Sequence, residues 1–251
     1  MTGEIERKVA LVTGASRNIG RAITVALAAR GCNVVVHVAR DIASGEETAA
    51  AVRALGVSAT VVSGDLSDPK TAAQVVNTAA AAYGRLDYLV NNAAIRPESP
   101  FESIKFEEWR DVLAVCLDAP FLVSQAALPY LQKSDCAAIV NIGGLTGHTG
   151  ASHRAHVITA KAGLIGLTKA MAHDLAPLVT VNCVAPGMIA TERQAKDGVI
   201  TNPHHHAKRT NLLGRRGTPE DVAEAVAYLC SPGGRYITGE TVHVNGGAYL
   251  S

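Results

Sequence analysis

The sequence has almost no excess of either charge: 23 Lys and Arg stand against 22 Asp and Glu, a formal net charge of +1. That balance removes the electrostatic reason to expect nucleic acid or an anionic membrane surface as a partner. Cysteine is sparse, with Cys32, Cys116, Cys136, Cys183 and Cys230 forming an odd and scattered set. No metal-ligand spacing connects them, so they read as free thiols of a reducing compartment, and no metal is expected. Residues 1–7 hold no apolar targeting stretch, and the alanine-rich segments are broken too often by polar residues to span a bilayer. No linker or internal repeat divides the chain. The expectation is a single domain over residues 1–251, soluble and cytoplasmic.

Apolar residues make up 48% of the chain, enough to fill a substantial core. They fall in short runs alternating with helical stretches. Lys8 to Val12, Val34 to Val36, Ala59 to Val62, Tyr88 to Val90, Ala138 to Ile142, Val179 to Val184 and Thr241 to Val244 read as strands. Helices are expected between them, at about Thr48–Leu55, from Asp68-Pro69 to Tyr83, Phe106–Gln132 with a bend at Pro120, His156–Leu175 and Pro219–Leu229. Glycines 31, 56 and 84 close the earlier helices. Strands separated by ten or more helical residues imply an α/β, doubly wound, Rossmann-like fold with a parallel sheet covered on both faces. The first strand runs into Thr13-Gly14-Ala15-Ser16-Arg17-Asn18-Ile19-Gly20 and then a helix. Strand, glycine turn and helix in that order place a dinucleotide pyrophosphate at a helix N-terminus.

The motifs along the whole chain resemble those of the short-chain dehydrogenase/reductase family. Thr13 to Gly20 is similar to its cofactor glycine motif, with Asn18 where a middle glycine usually stands. Asn tolerates left-handed backbone better than most residues. Asp65-Leu66 resembles the pair near the adenine, and Asn91-Asn92-Ala93-Ala94 resembles the family's Asn-Asn-Ala-Gly. Asn182 to Thr191 resembles the segment lining the nicotinamide side; Gly214 to Ala223, Ile237-Thr238-Gly239 and Val244 to Gly247 complete the series. The resemblance implies a cofactor site of Gly14, Ser16, Arg17, Asn18, Ile19, Gly20, His37, Arg40, Asp65, Leu66, Asn92, Ala93, Lys161, Pro186, Gly187, Ile189 and Thr191.

The second strand ends in His37-Val38-Ala39-Arg40, without the carboxylate that would bind an adenosine ribose and repel a 2′-phosphate. With Arg17 in the glycine turn, this favours NADP(H) over NAD(H). Asp41, one step on, keeps open the reading that both arginines are solvated surface residues.

In the family, a Ser, a Tyr four residues before a Lys, and an upstream Asn carry the reaction. The Lys is matched by Lys161, while the other three positions fall on Gly144, Val157 and Cys116. No tyrosine lies between Tyr130 and Tyr228 to restore the pattern by a register slip. The resemblance therefore implies an atypical member whose proton-transfer site is dismantled. His148 and His153 are candidate replacement acids; on a helix, His153, Val157 and Lys161 would share a face, with His156 about 100° away. The plainer reading of each histidine is a polar loop residue. Cys116 is a candidate nucleophile or a packed core residue. Gly144, Leu145, Val157 and His204 are expected on the substrate side, His204 within a variable substrate-covering segment at about 188–216. His204-His205-His206 carries no companion ligand pattern that would make a zinc site.

Three functions stay open. The first is an NADP-dependent oxidoreductase acting on an unidentified small organic substrate. The second is a lyase, isomerase or hydrolase reusing the pocket, and the third a cofactor-binding protein without catalysis. The two long apolar helices resemble those through which relatives pair, and imply a homotetramer, with a dimer as the alternative.

Overall fold

A computed structural model describes residues 7–191 and 211–250. Seven strands, β1 (Val9–Val12), β2 (Asn33–Val38), β3 (Ala59–Ser63), β4 (Tyr88–Asn91), β5 (Ala138–Ile142), β6 (Thr180–Pro186) and β7 (Thr241–Val244), form one parallel sheet in the order β3-β2-β1-β4-β5-β6-β7. Around it lie α1 (Asn18–Ala29), α2 (Ile42–Arg53), α3 (Pro69–Tyr83), α4 (Phe106–Leu113), α5 (Ala119–Leu131), the short α6 (Thr146–Thr149), α7 (Ala155–Leu175) and α8 (Pro219–Leu229).

Alternation along the strands sorts the core into two layers. Ala10, Val12, Val34 and Val36 pack with Ile23 and Leu27 of α1, Val52 of α2 and Val226 of α8. Val9, Leu11, Val35 and Leu89 face Val75 and Val76 of α3, Val123 and Leu131 of α5 and Ala172 of α7. Each fully buried Val or Leu contributes about 1.5–3 kcal/mol relative to exposure, so both sheet faces are covered. This is the single Rossmann-like doubly wound domain expected from the alternating pattern.

Asp68 caps α3 by accepting from the Thr71 backbone N–H at 2.8 Å, Pro69 stands at its start, and Gly84 ends it at φ 71°. The stretch Phe106–Leu131 is not one bent rod. A π turn over Ala114–Asp118 separates α4 from α5, and the Ala119 N–H reaches the Ala114 carbonyl, five residues back. Pro120 has no N–H for the Cys116 carbonyl, and the widened turn accommodates its ring. By length and composition this run could cross a membrane, but here Val123, Ala127 and Leu131 are buried in the core beneath the sheet. Helix α2 begins earlier than the apolar pattern indicates, because Asp41 caps it through the Ser44 N–H and hydroxyl.

Helix α8 opens with a capping box: the Asp221 N–H donates to Thr218 Oγ1 and the Thr218 N–H to the Asp221 carboxylate. Just before it, the Gly217 N–H donates to the Met188 carbonyl, and the Ala190 N–H to that of Gly217. The cap thereby holds the strand-like segment that follows β6. Thr218→Ala should lower stability by about 1 kcal/mol in urea denaturation. Arg215 and the Thr218 N–H hold the Asp221 carboxyl below the usual carboxylate range. Its contribution is complete above the unfolded value and is lost as pH falls through the lowered folded value. Unfolding midpoints of wild type and Thr218→Ala that coincide at neutral pH would contradict this.

Candidate active site

All seven strands point their carboxyl ends toward one cleft of about 870 Å³, where open α/β sheets bind ligands. At one end lies the turn from β1 to α1. Gly14 sits at φ 61°, and a Cβ there would stand 2.8 Å from Ala93 Cα. Asn18 also adopts a left-handed conformation, φ 49°, so the one non-glycine of the motif fits without changing the turn. Thr13 Oγ1 accepts from the N–H groups of Asn92 and Ala93 at 2.9 and 3.0 Å, and Asn92 Nδ2 donates to the Thr13 and Gly14 carbonyls. Asn92 and Ala93, just after β4, therefore brace the turn. Ser16 to Gly20 line the cleft at the start of α1, where N–H groups favour a phosphate.

His37, at the end of β2, is buried. Its Nδ1 accepts from the Gly14 N–H at 3.3 Å, and its Nε2 lies 3.0 Å from the Gly64 carbonyl, to which it donates. One neutral tautomer satisfies both contacts, and burial holds the ring below its ordinary pKa. His37 thus fixes the turn as well as lining the cleft. Arg17 and Arg40 stand exposed at the rim. The acids beside them are occupied locally: Asp41 by Ser44, and Asp65 by the Ser67 N–H and hydroxyl at 3.0 and 2.7 Å. This end presents two cations to a ligand.

At the other end Lys161 of α7 is buried, and its Nζ donates to the Ile142 carbonyl. Burial pushes its pKa down, and the charges of Arg96 and Arg154 push the same way against those of Cys116 and Cys183. Arg154, immediately before α7, is buried in the cleft wall with Glu98 at 3.7 Å. Gly144, Leu145 and Val157 line this end, as does Asp111. Behind it, Asn91 Nδ2 donates to Ser124 Oγ at 3.0 Å and Asn141 Oδ1 at 2.8 Å, and Asn141 Nδ2 donates to Thr168 Oγ1 at 2.9 Å. That buried chain ties β4 and β5 to α5 and α7, fixing the helix that carries Lys161.

The structure gathers every residue of the expected cofactor set, from Gly14 to Thr191, into this cleft. It does not bring the expected replacement acids there. His153 is exposed at φ 59°, outside α7, so the face-sharing spacing with Val157 and Lys161 does not apply to it. His148 packs its ring 4.6 Å from that of His243 and 5.3 Å from that of Tyr249, away from the described cleft lining. Cys116 is buried, with Sγ donating to the Ile95 carbonyl at 3.3 Å; it packs with Val112, Val157 and Ala160. His156 is buried and bonds Glu108 at 2.8 Å, joining α4 to α7. His204 lies outside the described residues. Arg154 and Arg96 were missed by the sequence reading, although Arg154, Val157 and Lys161 follow an i, i+3, i+7 spacing that signals a shared face.

Residues 14–249 match the family model described as enoyl-(acyl carrier protein) reductase. The chain is 40% identical to the 3-oxoacyl-[acyl-carrier-protein] reductase FabG of Vibrio cholerae, covering 98% of this chain and 99% of that one. Identity to the Escherichia coli protein of the same name is 39%, over 98% of each chain. A short-chain dehydrogenase of Burkholderia cenocepacia, solved in complex with NADP, superposes with a TM-score of 0.89 at 33% identity, covering 98% and 99% of the two chains. The chain belongs to this reductase family, within the short-chain dehydrogenase/reductases, a class of oxidoreductases.

These findings correct the expectation of an atypical member with uncertain catalysis. The similarity runs the full length of relatives named as reductases, so neither a non-redox enzyme nor an inactive cofactor binder is the reading that stands. Ser, Tyr, Asn and Lys side chains are present as Ser124 and Tyr130 on α5, Asn141 on β5 and Lys161 on α7. Ser124 and Asn141 meet through Asn91, Tyr130 donates to Asn77 at 2.9 Å, and Lys161 is the member that lines the cleft.

Proposed function

We propose that the protein reduces 3-oxoacyl thioesters carried on acyl carrier protein to 3-hydroxyacyl thioesters, with NADPH as reductant. The observation that carries this reading is one continuous cleft running from an arginine-flanked glycine turn to two buried cations, Lys161 and Arg154. The full-length similarity to 3-oxoacyl-[acyl-carrier-protein] reductases supports the substrate class.

The residues present fit NADP(H). The glycine cradle is closed to any Cβ at Gly14 and Gly20, which suits close approach of a pyrophosphate to backbone N–H groups. Arg17 and Arg40 would take the 2′-phosphate, Asp65 and Leu66 the adenine side, Lys161 the nicotinamide ribose, and Pro186 to Thr191 the nicotinamide face. When bound, the cofactor supplies a hydride. The chain's own part is to orient the carbonyl, exclude water along the apolar wall of Leu145 and Val157, and provide cations where oxygen gains charge. The segment at about 188–216, of which 192–210 lie outside the described residues, is the proposed substrate cover. The proposed assembly is a homotetramer in the cytoplasm; sedimentation of a monomer alone at micromolar concentration would reject that assembly.

Turnover of a 3-oxoacyl thioester with NADPH, followed by absorbance, tests the reading. NADPH should bind more tightly than NADH in calorimetric titrations. Arg40→Ala should weaken NADPH and leave NADH unchanged. A charged hydrogen bond contributes about 1.5–3 kcal/mol, and the exposure of Arg40 puts the effect near the lower figure, about tenfold. Equal affinity of wild type for the two cofactors would overturn the NADP assignment.

A further inference from the structure

We infer that Glu108 and His156 are positioning residues for the substrate: through Ser99 they clamp the loop that follows β4 against the head of α7, where it forms a wall of the cleft. The inference rests on the proposed carbonyl reduction and names what fixes the wall that the acyl group meets.

Residues 92–96 line the cleft, and the stretch is fastened on both sides. On the cofactor side the N–H groups of Asn92 and Ala93 donate to Thr13 Oγ1. On the other side the Ser99 N–H donates to the His153 carbonyl at 2.9 Å, and Ser99 Oγ donates to Glu108 Oε1 at 2.6 Å. That same oxygen lies 2.8 Å from His156 Nε2. His156 Nδ1 accepts from the Val157 N–H at 2.8 Å. Nδ1 therefore carries no proton, and the ring hydrogen sits on Nε2, donating to Glu108. One carboxylate oxygen joins the loop, α4 and α7.

Each bond answers a local need. No side chain caps α7 from its N-cap position, which leaves first-turn N–H groups without partners; His156 Nδ1 takes the one at Val157. His156 is fully buried, so its Nε2 hydrogen requires an acceptor inside the protein, and Glu108 is that acceptor. Pro97 and Pro100 flank the loop segment and bring no N–H of their own, so the two bonds of Ser99 carry the fastening. Lys161 is fixed separately, through the Ile142 carbonyl. Cutting the clamp at Glu108 therefore frees the substrate wall while the cofactor side and Lys161 keep their own anchors. A wall of this kind meets ground state and transition state alike, so its loss falls on KM and spares kcat.

The test uses the full-length protein with NADPH and an acetoacetyl thioester. Glu108→Ala removes the shared acceptor at a side chain that is 34% exposed, where truncation is tolerated better than at the buried His156. It should raise KM for the thioester about tenfold or more, with kcat and the NADPH affinity, read by fluorescence, within about threefold of wild type. Glu108→Gln keeps an amide oxygen that accepts both bonds, so it should bring KM back to within about threefold of wild type. An unchanged KM in Glu108→Ala, a loss carried by kcat or by NADPH affinity, or no recovery in Glu108→Gln overturns the inference. A second arm needs no turnover: hydrogen exchange over residues 94–99, read by mass spectrometry, should be about tenfold faster or more in Glu108→Ala. Exchange over β5 should stay as in wild type, and Glu108→Gln should restore the slow rate. Unchanged exchange over 94–99, or acceleration shared by β5, overturns the inference. If wild type fails to reduce the thioester yet the exchange pattern appears, the proposed substrate falls and the clamp stands.

Discussion

Lys161→Met should lower the rate of carbonyl reduction by roughly a thousandfold. Loss of a positioned proton donor costs about 10²–10⁴-fold, and loss of an oxyanion-stabilising charge about 10²–10³-fold; the two overlap in one ammonium, so they do not multiply. Cofactor affinity should fall as well, because the same Nζ is the group proposed for the nicotinamide ribose. The fold should survive. Lys161 is buried with its charge against the Ile142 carbonyl, and replacing a buried charge with an apolar chain of similar volume is often neutral or stabilising. Between the lowered folded pKa of Lys161 and its ordinary value of 10.5, the unfolded chain binds more protons than the folded one. Stability should therefore rise with pH across that window in wild type, and the rise should be absent in Lys161→Met. Activity follows the opposite course, since the ammonium form that gives the proton is lost as pH rises through the folded value. Stopped-flow reduction and denaturation at matched pH values read both.

Gly20→Ala should abolish measurable NADPH binding at micromolar concentration. A Cβ at Gly20 would stand 2.2 Å from the Gly14 carbonyl, 2.6 Å from Asn92 Nδ2 and 3.0 Å from Ala15 Cα. Two of those neighbours are backbone of the turn itself, and the third is the amide that braces it. The clash can be relieved only by moving the N–H groups that would face the pyrophosphate. Overpacking of this kind costs about 1–3 kcal/mol in stability, and a displacement near 1 Å at a positioned site costs about a hundredfold in function. Gly166→Ala is the contrasting case. It lies inside α7 with nothing of its own chain within 4 Å of an added Cβ, so helix propensity predicts a gain of about 0.5–1 kcal/mol for the protomer, read at concentrations below assembly. Calorimetry and thermal unfolding of the two variants should give opposite shifts; parallel shifts would contradict the cradle.

The sheet was legible because its causes are local. Ala138–Ile142 and Thr241–Val244 are apolar runs bounded by turn residues, and Asp68-Pro69 with Gly84 marks α3 at both ends. The glycine turn was legible for the same reason, since Gly14 and Asn18 take left-handed backbone that few residues adopt and Gly20 leaves no space for a Cβ. The chemistry was less so. Counting back by fours from Lys161 selects His153, which would be correct if α7 began there. The helix begins at Ala155, so His153 leaves the face and Arg154 turns onto it. Loop position alone puts His148 beside the substrate, whereas its ring packs on His243 and Tyr249, contacts over ninety residues away. The first turn of α2, capped by Asp41, carries no apolar rhythm, so the pattern alone starts the helix late. Weighing three positions, Gly144, Val157 and Cys116, against the whole chain led to the expectation of an atypical member. Similarity over 98% of the chain outweighs them as a guide to class.

The central claim is that this cleft transfers hydride to a 3-oxoacyl thioester, and one measurement tests it directly. Purified protein, NADPH carrying deuterium at its transferable position, and a 3-oxoacyl thioester of acyl carrier protein are incubated together, and the acyl product is analysed by mass spectrometry. The account predicts a 3-hydroxyacyl product bearing one deuterium at the carbinol carbon, formed in equal number to the NADPH consumed. A product without deuterium, or no product while NADPH is bound, would contradict it.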